Sequence, residues 1–573
     1  MSLGLPPLAN IFAYRDPDPT ALATVERALL ASSPVPRLWH PPGGWVGAYW
    51  PLPGSVGRWG PVDQDDLVVF EGEDLLLPQG AVGSTERDRL MALVVRTPDD
   101  LDHLDGDFGL AHFGTDGSLT AVRSASGIVP VYVWGDGQRM AIGTRLDHFV
   151  QHLPAPLTPD ALAHASWLFG GDRIPSPRSF LQGVSLVPRG CYATLRPDRP
   201  VTLRRYWDPR PDELPLPTEE STREHAQELR RLLLAHLSRH LDPGGANLLT
   251  LSGGMDSSSL AYLAAGTLGF GISTLTLITT DPVGQQHERS YIDPLLEELR
   301  VKDAQFVAAD GPALLSLYEG GQPSAFPIIH PALRLLPDVV DRRPVRVLFG
   351  GEWADEVCGS GATVPDWATH TSLWDLVSGR APRWQGRKDL GRWVKWRGRR
   401  LLGRPFSTWP ERLTDAVRAE VQEEYRQAAA DAARDARADP RPLAGLAVRL
   451  DQDGFLAMNW EAASRLGVRR IVPFGTRELQ QLAFRCHPHE QLGPGTKKVL
   501  RSALAQDVPD RHLSRHDKGS LFVIPPGPVW PTPASSSGVD PLWLCDESWL
   551  RRLPCETDLI SAVAMRILVS SRV

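Results

Sequence analysis

The sequence predicts an α/β protein in two parts: a β-rich N-terminal region, then a doubly wound parallel sheet with helical additions. Three observations carry this. Short apolar runs separated by Gly and Asp clusters fill the chain up to about residue 207, as hairpins require. A Pro-rich, acidic stretch, WDPRPDELPLPTEES (207–221), then offers little to a helix or central strand and reads as a linker. Beyond it strands alternate with helical patterns, the signature of parallel pairing.

Taken in order, LVVF (67–70), LMALVVR (90–96), SLTAVRS (118–124) and VPVYVW (129–134) read as strands. STREHAQELRRLLLAHLSRHL (221–241) has apolar residues at helical spacing and opens with Ser221 as an N-cap. NLLTL (247–251) reads as a buried strand, SGGMDS as a turn and SSLAYLAAGTL as a helix. STLTLITT (273–280) gives a second strand, a helix lies around 289–299, and RVLFG (346–350) gives a third strand. The remainder reads as mainly helical with Pro-rich breaks.

Composition bounds the function. With 573 residues, 42% hydrophobic and 23% charged, the chain has the make-up of a globular protein of two or three large domains. A net charge of -7 argues against a dedicated nucleic-acid binder. No apolar run approaches the roughly 18 residues of a membrane span, and MSLGLPPLAN lacks the features of a signal peptide. Five cysteines (Cys191, Cys358, Cys486, Cys545, Cys555) form no CxxC pattern, so the expected setting is a reduced cytoplasm.

Two segments concentrate chemistry. In Leu251-Ser252-Gly253-Gly254-Met255-Asp256-Ser257-Ser258 a buried strand runs into a Gly-Gly turn, and hydroxyl residues open the next helix. Glycines let the backbone approach an anion, and free N–H groups with the helix dipole favour phosphate. Asp256 fits such a loop only if Mg²⁺ intervenes. No Gly-Lys-Ser/Thr follows, so this is not a Walker A loop. Phe349-Gly350-Gly351-Glu352-Trp353-Ala354-Asp355-Glu356 likewise follows an apolar strand, and its three carboxylates need a metal or a cationic partner. Asp355 beside Asp256 would give two hard oxygen ligands for Mg²⁺ on a triphosphate. The bland alternatives are an unliganded strand–helix turn and a solvated acidic turn.

Together these motifs resemble the asparagine synthetase family, whose synthetase domain is a PP-loop ATP pyrophosphatase. The family's SGGxDS stands as Ser252 to Ser257, and GEGxDE stands as Gly351 to Glu356 with Trp353 replacing the middle glycine. GVRRIVPFGTRELQQLAF (467–484) looks like the family's R-x-PF-x-D segment, with Thr476 in place of Asp. TKKVLRSAL (496–504) and LSRHDKGSLF (513–522) are similar to its K-x-x-LR and late lysine-bearing segments. The resemblance implies cleavage of ATP between the α and β phosphates, adenylation of a carboxylate and loss of pyrophosphate. It implies pyrophosphate binding by Ser252, Gly253, Gly254, Asp256 and Ser257, with Leu251 and Gly351 also at the ATP site. Asp256 and Asp355 would bind Mg²⁺, Lys518 would neutralise developing negative charge, and Glu352 would orient or deprotonate the attacking nitrogen.

The same resemblance implies two domains: a degenerate glutaminase-like domain of the N-terminal-nucleophile type over residues 1–210, and the ATP-pyrophosphatase domain over 211–573. GDFGLAHFGTDGSLTAVRSASGIVPVYV (106–133) looks like a glutaminase segment retaining Arg123, Gly127, Pro130 and Tyr132. Such a glutaminase needs a cysteine as mature first residue. Residue 2 is Ser2 and the first cysteine is Cys191, so a structural scaffold is expected instead of a source of ammonia.

Superfamily branches in which the substrate supplies its own nitrogen are β-lactam synthetases and lasso peptide cyclases. The β-lactam branch places a Tyr at the position of Glu352 and a Glu some thirty residues on, and VSGRAPRWQGRKD (377–389) has no glutamate. The expected activity is therefore lasso-type: adenylation of an Asp or Glu side chain of a linear precursor peptide, then closure of a macrolactam by its N-terminal amine. A leader-binding protein and a leader peptidase are the implied partners, with no nucleic acid. The alternatives are a β-lactam synthetase-like ring closer, an ammonia-dependent asparagine synthetase, and a non-catalytic scaffold. Between Arg380 and Arg404, ten Arg or Lys and one acidic residue interleave with Trp384, Trp393 and Trp396. This stretch reads either as a peptide groove or as a solvated basic helix with Trp on its buried face.

Overall fold

The computed structural model describes residues 9–515 except 33, 52–66, 71–93, 95–97, 155–156, 164–176, 279–280, 309–332, 334, 361–362, 379–387, 402–418, 425, 428–430, 432–440, 452–453 and 494. Two antiparallel sheets form its N-terminal part. The first contains β1 (Ala9–Arg15), β2 (Arg37–Trp39), β3 (Trp45–Pro51), β7 (Tyr132–Gly135), β8 (Met140–Gly143) and β9 (Val184–Leu186), in the order β2-β3-β1-β8-β7-β9. The second contains β4 (Leu67–Phe70), β5 (Gly109–Phe113), β6 (Leu119–Arg123), β10 (Cys191–Leu195) and β11 (Thr202–Arg205), in the order β11-β10-β6-β5-β4.

Period-two alternation along β1 decides the layering. Ile11 and Ala13 join a core shared with Phe113, Leu119 and Ala193 of the second sheet. Phe12 and Tyr14 face the opposite way and pack with Val25, Leu29 and Phe149 of the helices Pro19–Leu30 and Leu146–His152. The first core continues into Leu229, Leu233, Leu482 and Leu500 on helices behind the C-terminal sheet. The apolar interior thus runs unbroken between the two halves.

The C-terminal sheet is parallel throughout: β12 (Asn247–Thr250), β13 (Ser273–Ile278), β14 (Ala304–Ala308), β15 (Val347–Phe349) and β16 (Arg469–Ile471), ordered β14-β13-β12-β15-β16. The chain starts at β12, winds out to β14, then returns to the other side of β12. Between β12 and β15 lies the topological switch point, where the carboxyl ends of adjacent strands open a crevice. The two acid-bearing motifs follow these two strands.

Several sequence expectations shift in detail. The strand expected over 129–134 begins at Tyr132. The run 90–96 lies outside the described residues apart from Val94. The long helix is Glu219–His240, and its N-cap is Thr218, not Ser221. Ser221 is the N3 partner of a capping box: its N–H bonds the Thr218 hydroxyl at 3.0 Å, and its own hydroxyl accepts from Thr218 N at 2.9 Å. In the basic segment, Lys388–Leu401 is a helix. Its Trp393 and Trp396 pack on a cluster formed by Val364, Trp367, Ala368 and Leu492, with Trp393 Nε1 donating to Thr371 O at 2.8 Å. These two tryptophans are packing residues; Trp384 lies outside the described residues. Among the described residues no helix is long and apolar enough to cross a membrane.

Candidate active site

Leu251 ends the β12 run with its side chain in the core and its N–H on Leu275 O at 3.0 Å, so only its backbone borders the crevice. The loop then turns sharply. Gly253 has φ +68°, and a Cβ there would lie 2.8 Å from Ile292, so two constraints select glycine. Ser257, at the start of helix Met255–Ala261, reaches back over the loop. Its Oγ accepts from Ser252 N at 3.1 Å and lies 3.2 Å from Ser252 Oγ. The loop is thereby held open-mouthed, with Ser252 exposed and Ser257 buried behind it.

The second motif packs directly on the first. A Cβ on Gly351 would sit 2.7 Å from Asp256 Cβ and 3.1 Å from Ser257 N, so glycine is what lets the two loops touch. The contact brings Asp256 and Asp355 to a common cation. Lys497 Nζ lies 2.5 Å from both oxygens of Asp256 and 2.7 Å from Asp355 Oδ1. Burial disfavours the lysine charge, but the two carboxylates outweigh burial and hold its pKa above the ordinary lysine value. Lys497 itself has φ +61°, and its ammonium is the point on which both acids converge.

Glu352 turns to the other side of the crevice, where the buried Arg470 of β16 donates to its Oε1. Among the described residues Glu352 Oε2 and Arg470 Nε and Nη1 are buried without a hydrogen-bond partner. Trp353 occupies the left-handed region (φ 68°, ψ -4°), the conformation that a glycine adopts freely. Its indole is buried beneath the Arg189 guanidinium, 5.9 Å from the ring centroid. Arg189, from the N-terminal half, also donates to Leu450 O at 3.0 Å and to Gln480, tying the two halves at this loop.

A sequence model of the family described as "Asparagine synthase" matches residues 228–530, just over half of the chain. The chain belongs to the asparagine synthase family. Curated relatives named "Putative asparagine synthetase", described as glutamine-hydrolysing, occur in Mycobacterium tuberculosis and Mycobacterium bovis. They are 27% identical over 337 residues, covering 53% of this chain and 49% of each relative. The chain therefore spans about half the length of the curated relatives it matches. Among solved structures, NMN synthetase from Francisella tularensis aligns with 33% of this chain and 99% of its own, at 16% identity and a TM-score of 0.20. An allosteric regulatory enzyme of purine biosynthesis aligns with 52% of this chain and 80% of its own, at 9% identity and a TM-score of 0.23.

The matched segment, residues 228–530, carries both acid-bearing motifs. Of the residues expected at its site, Ser252, Gly253, Gly254, Asp256, Ser257, Gly351, Glu352 and Asp355 lie around one crevice; Lys518 lies outside the described residues. Three participants were missed. Lys497 stands in the K-x-x-LR segment, yet a Lys-Lys pair reads as solvated surface. Arg470 stands in the 467–484 segment. Arg515, in the segment that also carries Lys518, donates to Gly253 O at 2.6 Å and stacks 4.0 Å from the Tyr291 ring. Thr476, which replaces the family's Asp, caps helix Arg477–Arg485 by accepting from Leu479 N at 3.3 Å, a task either side chain performs.

In the N-terminal half Arg123 is fully buried and its guanidinium donates to the carbonyls of Val129 and Val187, both at 2.9 Å, and of Gly127. It is a backbone clamp. Cys191 is buried in β10, and burial pushes its thiol up to about 11.

Proposed function

We propose that this chain is an ATP-dependent, AMP- and diphosphate-forming ligase that closes a macrolactam within a linear precursor peptide. The observation that carries the reading is the convergence of the Ser252–Ser257 loop, Asp256, Asp355 and Lys497 at the switch point of a parallel sheet. A tight Gly-Gly turn opening a helix lies beside two acids and a buried cation. That combination suits a polyphosphate whose α-phosphorus is attacked by a carboxylate.

The donor set at Asp256 and Asp355 fits Mg²⁺: two hard carboxylate oxygens already meet at one cationic point, filled by the Lys497 ammonium. These two residues would hold the ion, which supplies charge neutralisation on the leaving diphosphate. Ser252, Gly253, Gly254 and Ser257 bind the phosphates, with Leu251 and Gly351 lending backbone at the loop edges. Lys497 stabilises charge between the carboxylates and the phosphates. Lys518, three residues beyond the loop-anchoring Arg515, neutralises charge on the α-phosphate and on the tetrahedral intermediate. Glu352, oriented by Arg470, accepts the proton of the attacking amine.

Nitrogen comes from the substrate. Residues 1–190 contain no cysteine, and the Cys191 thiol is buried in a strand and held protonated. The peptide's side-chain carboxylate takes the adenylyl group and diphosphate leaves. Its own α-amine then displaces AMP, and the ring closes with the enzyme holding the two ends in attack geometry. A leader-binding protein and a leader peptidase would supply the free amine.

Mass spectrometry of products tests this. The full chain and MgATP are given linear peptides with a free amino terminus and an internal Asp or Glu, and in parallel aspartate with ammonium. The reading expects AMP together with a peptide lighter by one water. Asparagine formation, or a small ring formed within an amino-acid derivative, would replace it.

A further inference from the structure

Apart from the crevice, three potential metal ligands from separate elements meet in the C-terminal half. His225 comes from helix Glu219–His240, Cys486 from the C-cap of helix Arg477–Arg485, and Glu490 from the short helix Pro488–Gln491. One ligand atom of each lies within 4.8 Å of the other two. Cys486 and Glu490 are buried and His225 is partly so. His225 Nδ1 stands 3.1 Å and 3.3 Å from the two Glu490 oxygens.

We propose that His225, Cys486 and Glu490 form a structural site for one divalent transition-metal ion, zinc being the best match to the donors. A tetrahedral zinc ion with nitrogen and oxygen at about 2.0–2.1 Å holds those two atoms about 3.3 Å apart, with a thiolate at about 2.3 Å lying about 3.6 Å from each. The hydrogen-bonded His225–Glu490 pair already stands at this separation, so the ion would replace that hydrogen bond without drawing the two groups together. A carboxylate, a thiolate and a neutral imidazole together carry a charge of about -2, which a divalent ion cancels in a buried place.

The carboxylate is also oriented as a ligand's would be. Glu490 Oε2 accepts from His487 N at 2.7 Å, and Oε1 lies 3.1 Å from Thr222 Oγ1 and 3.4 Å from Ser221 Oγ, whose protons it shares with Thr218 O. A carboxylate offers about four lone-pair positions, so these donors fix it and still leave room for the ion. A water molecule would complete the tetrahedron. Thr222 also lines a surface cavity of about 470 Å³ with Asp375, His489 and Lys498, which brings solvent to the edge of the cluster.

The ion would join the helix Glu219–His240 to the turn that supports the acidic loop. Gln491, next to Glu490, donates to Val357 O at 3.3 Å, and its Cβ lies where a Cβ on Gly359 would clash. The site belongs to the scaffold under Asp355, not to the chemistry, and stands whether or not the ligase makes a macrolactam.

Cobalt(II) titration of the chelator-stripped full chain tests it. The expected result is one equivalent bound, with tetrahedral visible bands and a thiolate-to-cobalt charge-transfer band, both removed by zinc. Cys486→Ser should lose the charge-transfer band, and His225→Ala, at a partly exposed position that tolerates truncation, should weaken binding at least about tenfold. No charge-transfer band in the unmodified chain, or its survival in Cys486→Ser, would overturn the site. Unchanged affinity in a folded His225→Ala variant would do the same.

Discussion

Lys497 and Asp256, 241 positions apart in the chain, meet with the lysine Nζ 2.5 Å from both carboxylate oxygens. The contact closes the β12 loop, the β15 loop and the 496–504 segment onto one point, because Asp355 shares the same ammonium. Lys497→Met would leave two carboxylates facing each other. Removing one partner of a buried pair costs about 3–5 kcal/mol, and the acids here are partly exposed, so the lower end applies. The expected result is a lower Tm with a larger Mg²⁺-dependent recovery than in the unmodified chain, read by calorimetry with and without Mg²⁺. A variant melting unchanged, and indifferent to Mg²⁺, would remove Lys497 from the site.

Asp256→Asn and Asp355→Asn keep volume and drop one charge each. Lys497 retains a partner in either variant, so the folds should persist. AMP formation should fall by at least about 100-fold, the scale for losing one preorganised electrostatic group. Pyrophosphate exchange in the presence of MgATP and a peptide substrate measures this. Full exchange in either variant would refute the carboxylate pair as the cation site.

The core strands were legible as short runs rich in Leu, Ile, Val and Thr bounded by turns: NLLT, STLTLI and VLF. The edge strands AQFVA and RRI were not, since an edge needs less apolar surface and two of the three residues of β16 are arginines. The loops were legible from Gly-Gly and acid spacing. Lys497, Arg470 and Arg515 were not, because a basic residue reads as solvated until a distant acid or carbonyl meets it. Their burial belongs to tertiary closure, which local periodicity does not encode. Thr218 was missed for a smaller reason: the capping box puts a hydroxyl at both ends, and Ser221 is the second.

Glu461 gives a pH dependence with a definite sign. It is buried beside Asp147, Arg465 and Arg145, accepts from Tyr132 Oη at 3.0 Å, and burial, then Asp147, raises its pKa to about 8. A carboxyl so raised contributes stability that is fully present below its unfolded value near 4.5 and is lost as pH climbs through 8. His152 acts oppositely: burial lowers it to about 4, so its contribution is lost as pH falls from 6.5 through 4. Between pH 6.5 and 8 Glu461 therefore lowers stability as pH rises, by up to about 1.4 kcal/mol per pH unit. Comparison with a variant separates it from the buried histidines, which act oppositely as their unfolded forms lose a proton near 6.5. Urea unfolding of Glu461→Gln should show a flatter dependence across that window. An equal slope in both proteins would mean that Glu461 is ionised throughout.

Trp353 sets two energies against each other. Its left-handed backbone costs roughly 1–2 kcal/mol for a residue with a Cβ. Its buried indole, under the Arg189 guanidinium, contributes roughly 3–5 kcal/mol by the scale of large-to-small core substitutions. Packing wins, so Trp353→Gly should be less stable by about 2 kcal/mol even though it relieves the backbone. Trp353→Ala loses the same indole and keeps the strain, so it should fall about 1 kcal/mol below the glycine variant. Denaturant midpoints should therefore rank Trp, then Gly, then Ala. An alanine variant more stable than the glycine variant would show that the φ of +68° at this position carries no strain.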